Sequence, residues 1–204
     1  MATVVETFIE HVTEECDKHG VSVFLKETNF VRANGLECGG YFSEETKEIH
    51  VSMNVSQENW LGTLTHEYCH MLQWIEKCSE YEKFYITSNV DAGILIDMWL
   101  DNEIEFTDEQ KSKYINAMID IELDCEKRTV ELIKKFGLPI KPRTYIKKAN
   151  VYLRYLKVMA QQRKWTKKII TIARIWRKMP SNFKKLDYHK DASFEELALF
   201  EPVL

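Results

Sequence analysis

The sequence predicts an α+β fold in which a small sheet precedes a mainly helical remainder. Two short segments near residue 40 alternate in polarity like strands, and most of the chain after residue 56 has apolar residues at helical spacing. The composition, 45% hydrophobic and 29% charged, is that of a globular protein. With 204 residues, the chain is long enough for one well-filled core.

The first part of the chain predicts one helix and three strands. Apolar residues at helical spacing indicate a helix over 3–18, which ends near Gly20. Residues 21–28 alternate like a strand, and the segments 38–42 and 47–53 indicate a hairpin joined by the four residues between them.

The remainder predicts a series of helices. Residues 56–78 form a long helix with Ser56 at its N-cap, and residues 92–100 form a short helix or a buried connection. A capping box, Thr107 to Gln110, begins another long helix that Gly137 and Pro139 end. Two further helices are predicted over 145–160 and 166–179. These elements suggest a core over 1–137 and a basic helical extension, 138–204, packed on it within one domain.

Basic and acidic residues are unevenly distributed along the chain. Residues 132–186 contain 17 Lys or Arg and no acid, which leaves 11 basic and 32 acidic residues elsewhere. Aromatic side chains are interleaved with the cations over 141–185, so one hypothesis is a nucleic-acid surface. We favour the alternative, in which the segment neutralises the acidic remainder or forms an ordinary solvated face, because the net charge is only −4.

The five cysteines are odd in number and irregularly spaced, so they predict reduced thiols rather than a disulfide framework. We expect a cytoplasmic protein, since the sequence has neither a secretory signal pattern nor an apolar run long enough to cross a membrane. The oligomeric state is not predictable.

The strongest motif is His66-Glu67-Tyr68-Cys69-His70 in the long helix. Residues four apart share a helix face, so His66 and His70 can bind one ion, and Glu67 can reach a water beside it as general base. The alternative is that two histidines occur at this spacing in the helix by chance and bind no metal. The motif follows a predicted hairpin, as in a zinc peptidase, and this placement favours one catalytic Zn²⁺.

A third protein ligand has to come from another element. Gln73 and Glu76 replace the glycine and the last histidine of the extended motif HExxHxxGxxH. Glu76 also lies about 15 Å along the helix from His66, too far to bind the same ion.

On the later helix, Glu122 and Glu126 fall in an apolar stripe, and an acid there needs a partner or a metal. Glu122 is thus a candidate ligand or the partner of a buried cation. Glu126 either accepts a hydrogen bond from a ligand histidine or reaches to water. The stripe is formed by Ile115, Met118, Ile119, Cys125, Thr129, Val130, Ile133 and Phe136.

Over residues 38–136 the chain resembles the zincin metallopeptidases, in particular the gluzincin branch. That branch combines the HExxH helix with a later ExxxD motif, and here Glu122 to Glu126 matches it with Glu in place of the final Asp. The resemblance implies a zinc ion bound by His66, His70 and Glu122, with Glu67 as general base.

The resemblance also implies a sheet edge that aligns the substrate backbone, for which the candidates are Gly39–Tyr41 and Ile49–Val51. In general layout the chain is similar to SprT-like proteases as well. Those proteases use a third histidine, and His189 is the only histidine after His70.

A zincin also needs a donor to the developing oxyanion, and the sequence does not choose among Tyr145, Tyr152, Tyr155 and His189. The expected function is a zinc metallopeptidase acting on a peptide or protein. The alternative is a non-catalytic zincin-like module that binds nucleic acid or a protein through residues 141–185.

Overall fold

A computed structural model describes residues 2–33, 35–87, 90–164 and 175–200. Its helices are α1 (Val4–Lys18), α2 (Gln57–Glu76), α3 (Ser79–Phe84), α4 (Ala92–Leu100), α5 (Asp108–Phe136), α6 (Pro142–Gln162) and α7 (Phe194–Phe200). Its strands are β1 (Ser22–Lys26), β2 (Val31–Ala33), β3 (Leu36–Cys38), β4 (Gly40–Ser43), β5 (Glu48–Ser52), β6 (Tyr85–Thr87) and β7 (Val90–Asp91). The predicted α+β class with small sheets is confirmed.

The chain forms two compact units that alternate along the sequence. The first contains Met1–Lys77 and Cys125–Pro142, and the second contains Cys78–Asp124 and Arg143–Leu204. The boundary falls inside α5, between Asp124 and Cys125. The division at residue 137 inferred from the sequence is a different partition and stays a prediction.

The first unit contains a mixed three-stranded sheet in the order β1-β5-β4. β1 pairs with β5 in parallel and β4 pairs with it antiparallel, so the predicted hairpin is confirmed. One of the two suggested substrate edges was wrong. Ile49–Val51 lies in β5, which is hydrogen-bonded on both sides, whereas β4, which contains Gly40 and Tyr41, ends the order of strands.

The core of the first unit lies where α1 and α2 meet the sheet. α1 contributes three fully buried side chains at helical spacing, which explains its amphipathic pattern. β5 supplies alternate residues, and α2 supplies a leucine pair three residues apart. The apolar side chains of α1, β5 and the first half of α2 that have no exposed surface are Phe8, Val12, Cys16, Ile49, Val51, Leu61 and Leu64.

Local signals account for the ends of α2 and α5. Ser56 occupies the N-cap of α2, although its side chain makes no capping hydrogen bond, and Lys77 ends the helix in the left-handed conformation. The predicted capping box is present at α5, where the Gln110 backbone N–H donates to Thr107 Oγ1 and the Thr107 N–H donates to Gln110 Oε1. Gly137 follows α5 with a φ of +63°, as expected for a terminating glycine.

The second unit has its own core, built from α4, the first half of α5 and α6. Residues 92–100 form a helix rather than an irregular connection, and the Asp91 carboxylate caps it by accepting the Ile94 N–H. The buried residues of this core are all hydrophobic: Ile96, Trp99, Leu100, Ile115, Ile119, Leu153, Tyr155, Leu156, Met159, Ala160 and Tyr188.

Several elements had no prediction, because they are too short to show a clear periodicity. These are β2, β3, α3, β6, β7, α7 and the 3₁₀ turn Phe183–Lys185. Most of the helix predicted over 166–179 lies outside the described residues, and within its described end Trp176–Lys178 forms a 3₁₀ turn. None of the helices in the described part of the chain is long and apolar enough to cross a membrane.

Candidate metal centre

His66 and His70 lie on one face of α2, as their spacing predicts. Their Nε2 atoms are 3.0 Å apart, and the two rings are nearly perpendicular at 87°. The His66 side chain keeps 17% of its surface exposed, so the pair lies just below the surface of the first unit. One helix thus brings two imidazole nitrogens to a single point.

Gln73 sets the tautomer of His70. Its side chain has no exposed surface, and its Oε1 lies 2.9 Å from His70 Nδ1. A carbonyl oxygen only accepts hydrogen bonds, so His70 Nδ1 carries the proton and donates. In the neutral ring this leaves a lone pair on Nε2, the atom that faces His66.

The Nδ1 atom of His66 faces the second half of α5. Glu126 Oε1 lies 3.5 Å away, and Cys125 Sγ lies 3.4 Å away. The 3.5 Å separation is too long for a strong hydrogen bond, but an acceptor oxygen at this distance still favours a proton on Nδ1. Glu126 is 5% exposed, so the predicted stripe-edge position in water does not describe it.

Burial and the neighbouring His70 hold the pKa of His66 well below its usual value of 6.5. The ring is therefore neutral at pH 7, and its Nε2 also presents a lone pair. Two lone pairs at 3.0 Å repel each other unless a proton or a cation lies between them. Because burial opposes the extra proton, the pair suits a metal ion, and each Nδ1 already faces an acceptor as in metal-binding histidines.

The structure adds a thiol to the two imidazoles. Among the described residues, ligand atoms of His66, His70 and Cys125 lie within 4.8 Å of one another. Cys125 has no exposed surface, and its Sγ is 3.2 Å from the His66 carbonyl oxygen. In the sequence, Cys125 belongs to the apolar stripe, and only its helical spacing from Glu122 indicates that it lies near the predicted site.

Glu122 lies on α5 one turn before Glu126 and three residues before Cys125. Burial raises the pKa of its carboxyl to about 7. This acid therefore lies in a desolvated environment, as its position in an apolar stripe predicts. Its role as third ligand stays a prediction.

Glu67 is 8% exposed and lies where β4 packs on α2. A Cβ added to Gly40 would lie 3.4 Å from Glu67 Cγ, 2.6 Å from Thr63 Cγ2 and 2.8 Å from the His50 carbonyl oxygen. The missing side chain at Gly40 therefore allows the strand to approach the helix closely. Desolvation and the negative charge of Glu67 raise the pKa of Cys38, so this neighbouring thiol stays protonated.

The four suggested oxyanion donors lie in the second unit. Tyr155 is buried in its core and Tyr152 packs against that core, while His189 Nε2 is 2.8 Å from Asp120 Oδ1. Tyr145 is half-buried near the start of α6. No oxyanion role is assigned to any of them.

Some cations of the basic segment have acidic partners within the second unit. Arg154, which is 3% exposed, forms a 2.9 Å ion pair with Glu196, and Arg163 forms another with Glu105. Lys157 lies 3.3 Å from Asp191. For these three cations the structure supports internal neutralisation over a nucleic-acid surface.

Comparisons with protein-family models, curated proteins and solved structures found no match to this chain.

Proposed function

We propose that the protein is a zinc-dependent hydrolase of peptide bonds, with His66 and His70 as metal ligands and Glu67 as general base. The observation that carries the proposal is the 3.0 Å separation of the two Nε2 atoms, each in a ring whose Nδ1 faces an acceptor. Such a pair holds a divalent ion without further rearrangement of the helix.

A Zn²⁺ ion at this position supplies Lewis acidity, polarising a carbonyl group and making a water more acidic. We expect the third protein ligand to come from α5, for which the sequence pattern suggests Glu122. Gln73 accepts the Nδ1 proton of His70 and Glu126 lies beside Nδ1 of His66, so both favour Nε2 as the ligand atom of each ring.

Glu67 is adjacent to His66 in the chain but points toward β4. Its carboxylate can take a proton from the attacking water and deliver it to the nitrogen of the departing amine. The buried position restricts the movement of the side chain and keeps bulk water away from that proton. Neither step requires the carboxylate to bind the metal.

The edge strand β4 supports a peptide as substrate. It ends the strand order of the sheet and packs directly against the helix that bears Glu67. An extended peptide that adds to such an edge is held by backbone hydrogen bonds, which leave the amide bond beside the catalytic carboxylate. The resemblance of the sequence to the zincins implies such an edge as well.

Replacing Glu67 with Gln tests the proposal. Gln fills the same space but cannot accept a proton, so we expect peptide hydrolysis to fall by about 10²–10⁴-fold while zinc content stays unchanged. The readouts are cleavage of a peptide library and elemental analysis.

Glu76→Gln is the matched control, since Glu76 lies at the exposed end of the same helix and pairs with Arg128 on the surface. That variant should cleave like the unmodified protein. Equal cleavage by the Glu67→Gln variant would reject Glu67 as the base.

A further inference from the structure

We propose that a small pocket in the second unit binds a free α-amino acid with an aliphatic side chain. The pocket has a volume of about 240 Å³. It lies between the first two turns of α5 and the last turns of α6, and Asp191 lines it as well. All of its lining residues belong to the second unit, and none of them is a candidate metal ligand.

Lys157 places a buried cation in the wall of this pocket. The residue is 8% exposed, and among the described residues its ion-pair partner is Asp191, whose Oδ1 lies 3.3 Å from the Lys157 Nζ. A strong ion-pair hydrogen bond is about 2.7–2.9 Å long, and an ammonium group has three N–H donors. Burying a charge with so few acceptors is costly, so Lys157 has donor capacity for an acceptor in the pocket.

The charges around the pocket favour a zwitterion over a simple anion or cation. Lys111 and Lys157 line it together with two acids, Asp108 and Asp191. An anion alone would meet both carboxylates, and a cation alone would meet both ammonium groups. The carboxylate of an amino acid can instead accept hydrogen bonds from Lys157 while its ammonium group donates to Asp191. The total charge stays at zero, so the ligand separates the ion pair without leaving either charge unpaired.

The rest of the pocket suits a short apolar side chain. Ile115 and Ala160 contribute apolar surface to it and are otherwise buried, with 1% and 3% exposure. Pockets for drug-sized ligands hold about 300–1,000 Å³, so this one suits a smaller molecule. Valine and leucine meet both conditions.

Hydrogen bonds fix the backbone on both sides of Asp191. The Gln161 amide accepts the Ala192 N–H at 2.6 Å and donates to the Ala192 carbonyl oxygen at 3.3 Å. Arg154 Nη1 donates to the Lys190 carbonyl oxygen at 2.8 Å. The Asp191 side chain is 75% exposed, so it can rotate toward a ligand while its backbone stays in place. Such a preformed wall reduces the entropy cost of binding.

Calorimetric titration of the full-length protein with L-leucine tests the site. We expect saturable binding, which Lys157→Met should weaken by about 10–100-fold, because the ligand loses its hydrogen bonds to a charged donor. Asp191→Asn should also weaken binding, by at least about tenfold, and its exposed position leaves the fold unchanged.

Lys113→Met is the matched control, because Lys113 is an exposed lysine of α5 that does not line this pocket. This variant should bind leucine like the unmodified protein. A loss of binding in the control equal to the loss in Lys157→Met would overturn the role of Lys157.

Two leucine analogues separate the charges of the ligand. Isocaproate lacks the ammonium group and isoamylamine lacks the carboxylate, so each should bind at least about tenfold more weakly than leucine. Both comparisons use the unmodified protein, so they decide the question even if Lys157→Met does not fold. The amino-acid site is overturned if leucine does not bind at millimolar concentration, if either analogue binds as tightly as leucine, or if folded Lys157→Met or Asp191→Asn keeps full affinity.

Discussion

At the scale of single residues, Gln73 does most to define the chemistry of His70. It occupies the position at which the extended zincin motif has a glycine, so the sequence motif gave it no role. In the structure it lies one turn after His70 and accepts the Nδ1 proton at 2.9 Å. Residues three apart on a helix are neighbours, so this contact was predictable from spacing alone.

Replacing Gln73 with Leu should weaken zinc binding by about 10–100-fold, because the ring of His70 loses the acceptor that fixes its tautomer and orientation. Leu is similar in volume and suits a fully buried position, so the fold should survive. Gln73→Glu keeps an acceptor oxygen and should bind zinc more tightly than the Leu variant. Competition against a chelator measures both affinities, and equal affinities would contradict the role.

Glu122 should make the metal-free protein less stable as the pH rises. Its folded pKa is raised to about 7 from 4.5, so the folded state holds a proton that the unfolded state has lost in this interval. The free energy of unfolding therefore falls between pH 4.5 and 7, by up to about 3 kcal/mol.

Glu122→Gln mimics the protonated side chain and removes this dependence. Urea unfolding of both proteins at pH 5 and pH 8, with a chelator present, measures the difference. The unmodified protein should lose stability relative to the variant at the higher pH. A constant difference across this range would contradict the raised pKa.

At the scale of elements, the close contact between β4 and α2 depends on Gly40. Any Cβ at this position would meet the His50 carbonyl oxygen at 2.8 Å, and backbone atoms yield less readily than side chains. The sequence predicted both the hairpin and the helix, since each has a clear local period. It did not predict which strand is central, because strand order depends on the parallel pairing of β1 with β5, a contact distant in sequence.

Gly40→Ala should reduce stability by about 1–3 kcal/mol and also reduce hydrolysis, since the strand must move away from the helix that bears Glu67. Gly39→Ala is the matched control, because its nearest neighbour would be Thr63 Oγ1 at an ordinary 3.6 Å. Thermal unfolding and a peptide assay measure the two effects. Equal losses in both variants would show that the Gly40 contact is not special.

The long helix α5 shows how far a sequence pattern reaches. Its capping box, its terminating glycine and its apolar stripe were all predicted correctly, because each depends on residues within one or two turns. The stripe alone did not show that Cys125 packs against His66, because that contact joins residues 59 apart in sequence.

At the scale of the whole molecule, the unequal distribution of charge has a partly local explanation. Arg154 donates to both carboxylate oxygens of Glu196 and to the carbonyl oxygens of Asp187 and Lys190. A cation that is 3% exposed and has these acceptors serves packing within the second unit. The count of basic residues did not reveal such pairings, because each one joins residues that are far apart in sequence.

The division of the chain was also beyond sequence reasoning. Each unit is assembled from two separate stretches, and the boundary inside α5 has no glycine, proline or polar linker to mark it. Domain boundaries are usually inferred from such linkers, so a long helix that continues through the boundary gives no signal. The two histidines of the motif, His66 and His70, both belong to the first unit.

The central claim is that one divalent ion binds between the Nε2 atoms of His66 and His70. A crystal of the zinc-loaded protein, measured on both sides of the zinc absorption edge, tests it by locating the ion directly. The account predicts one anomalous peak about 2.0–2.1 Å from each Nε2 atom. A zinc-replete crystal with no peak at this pair, or with the two imidazoles turned away from each other, would contradict it.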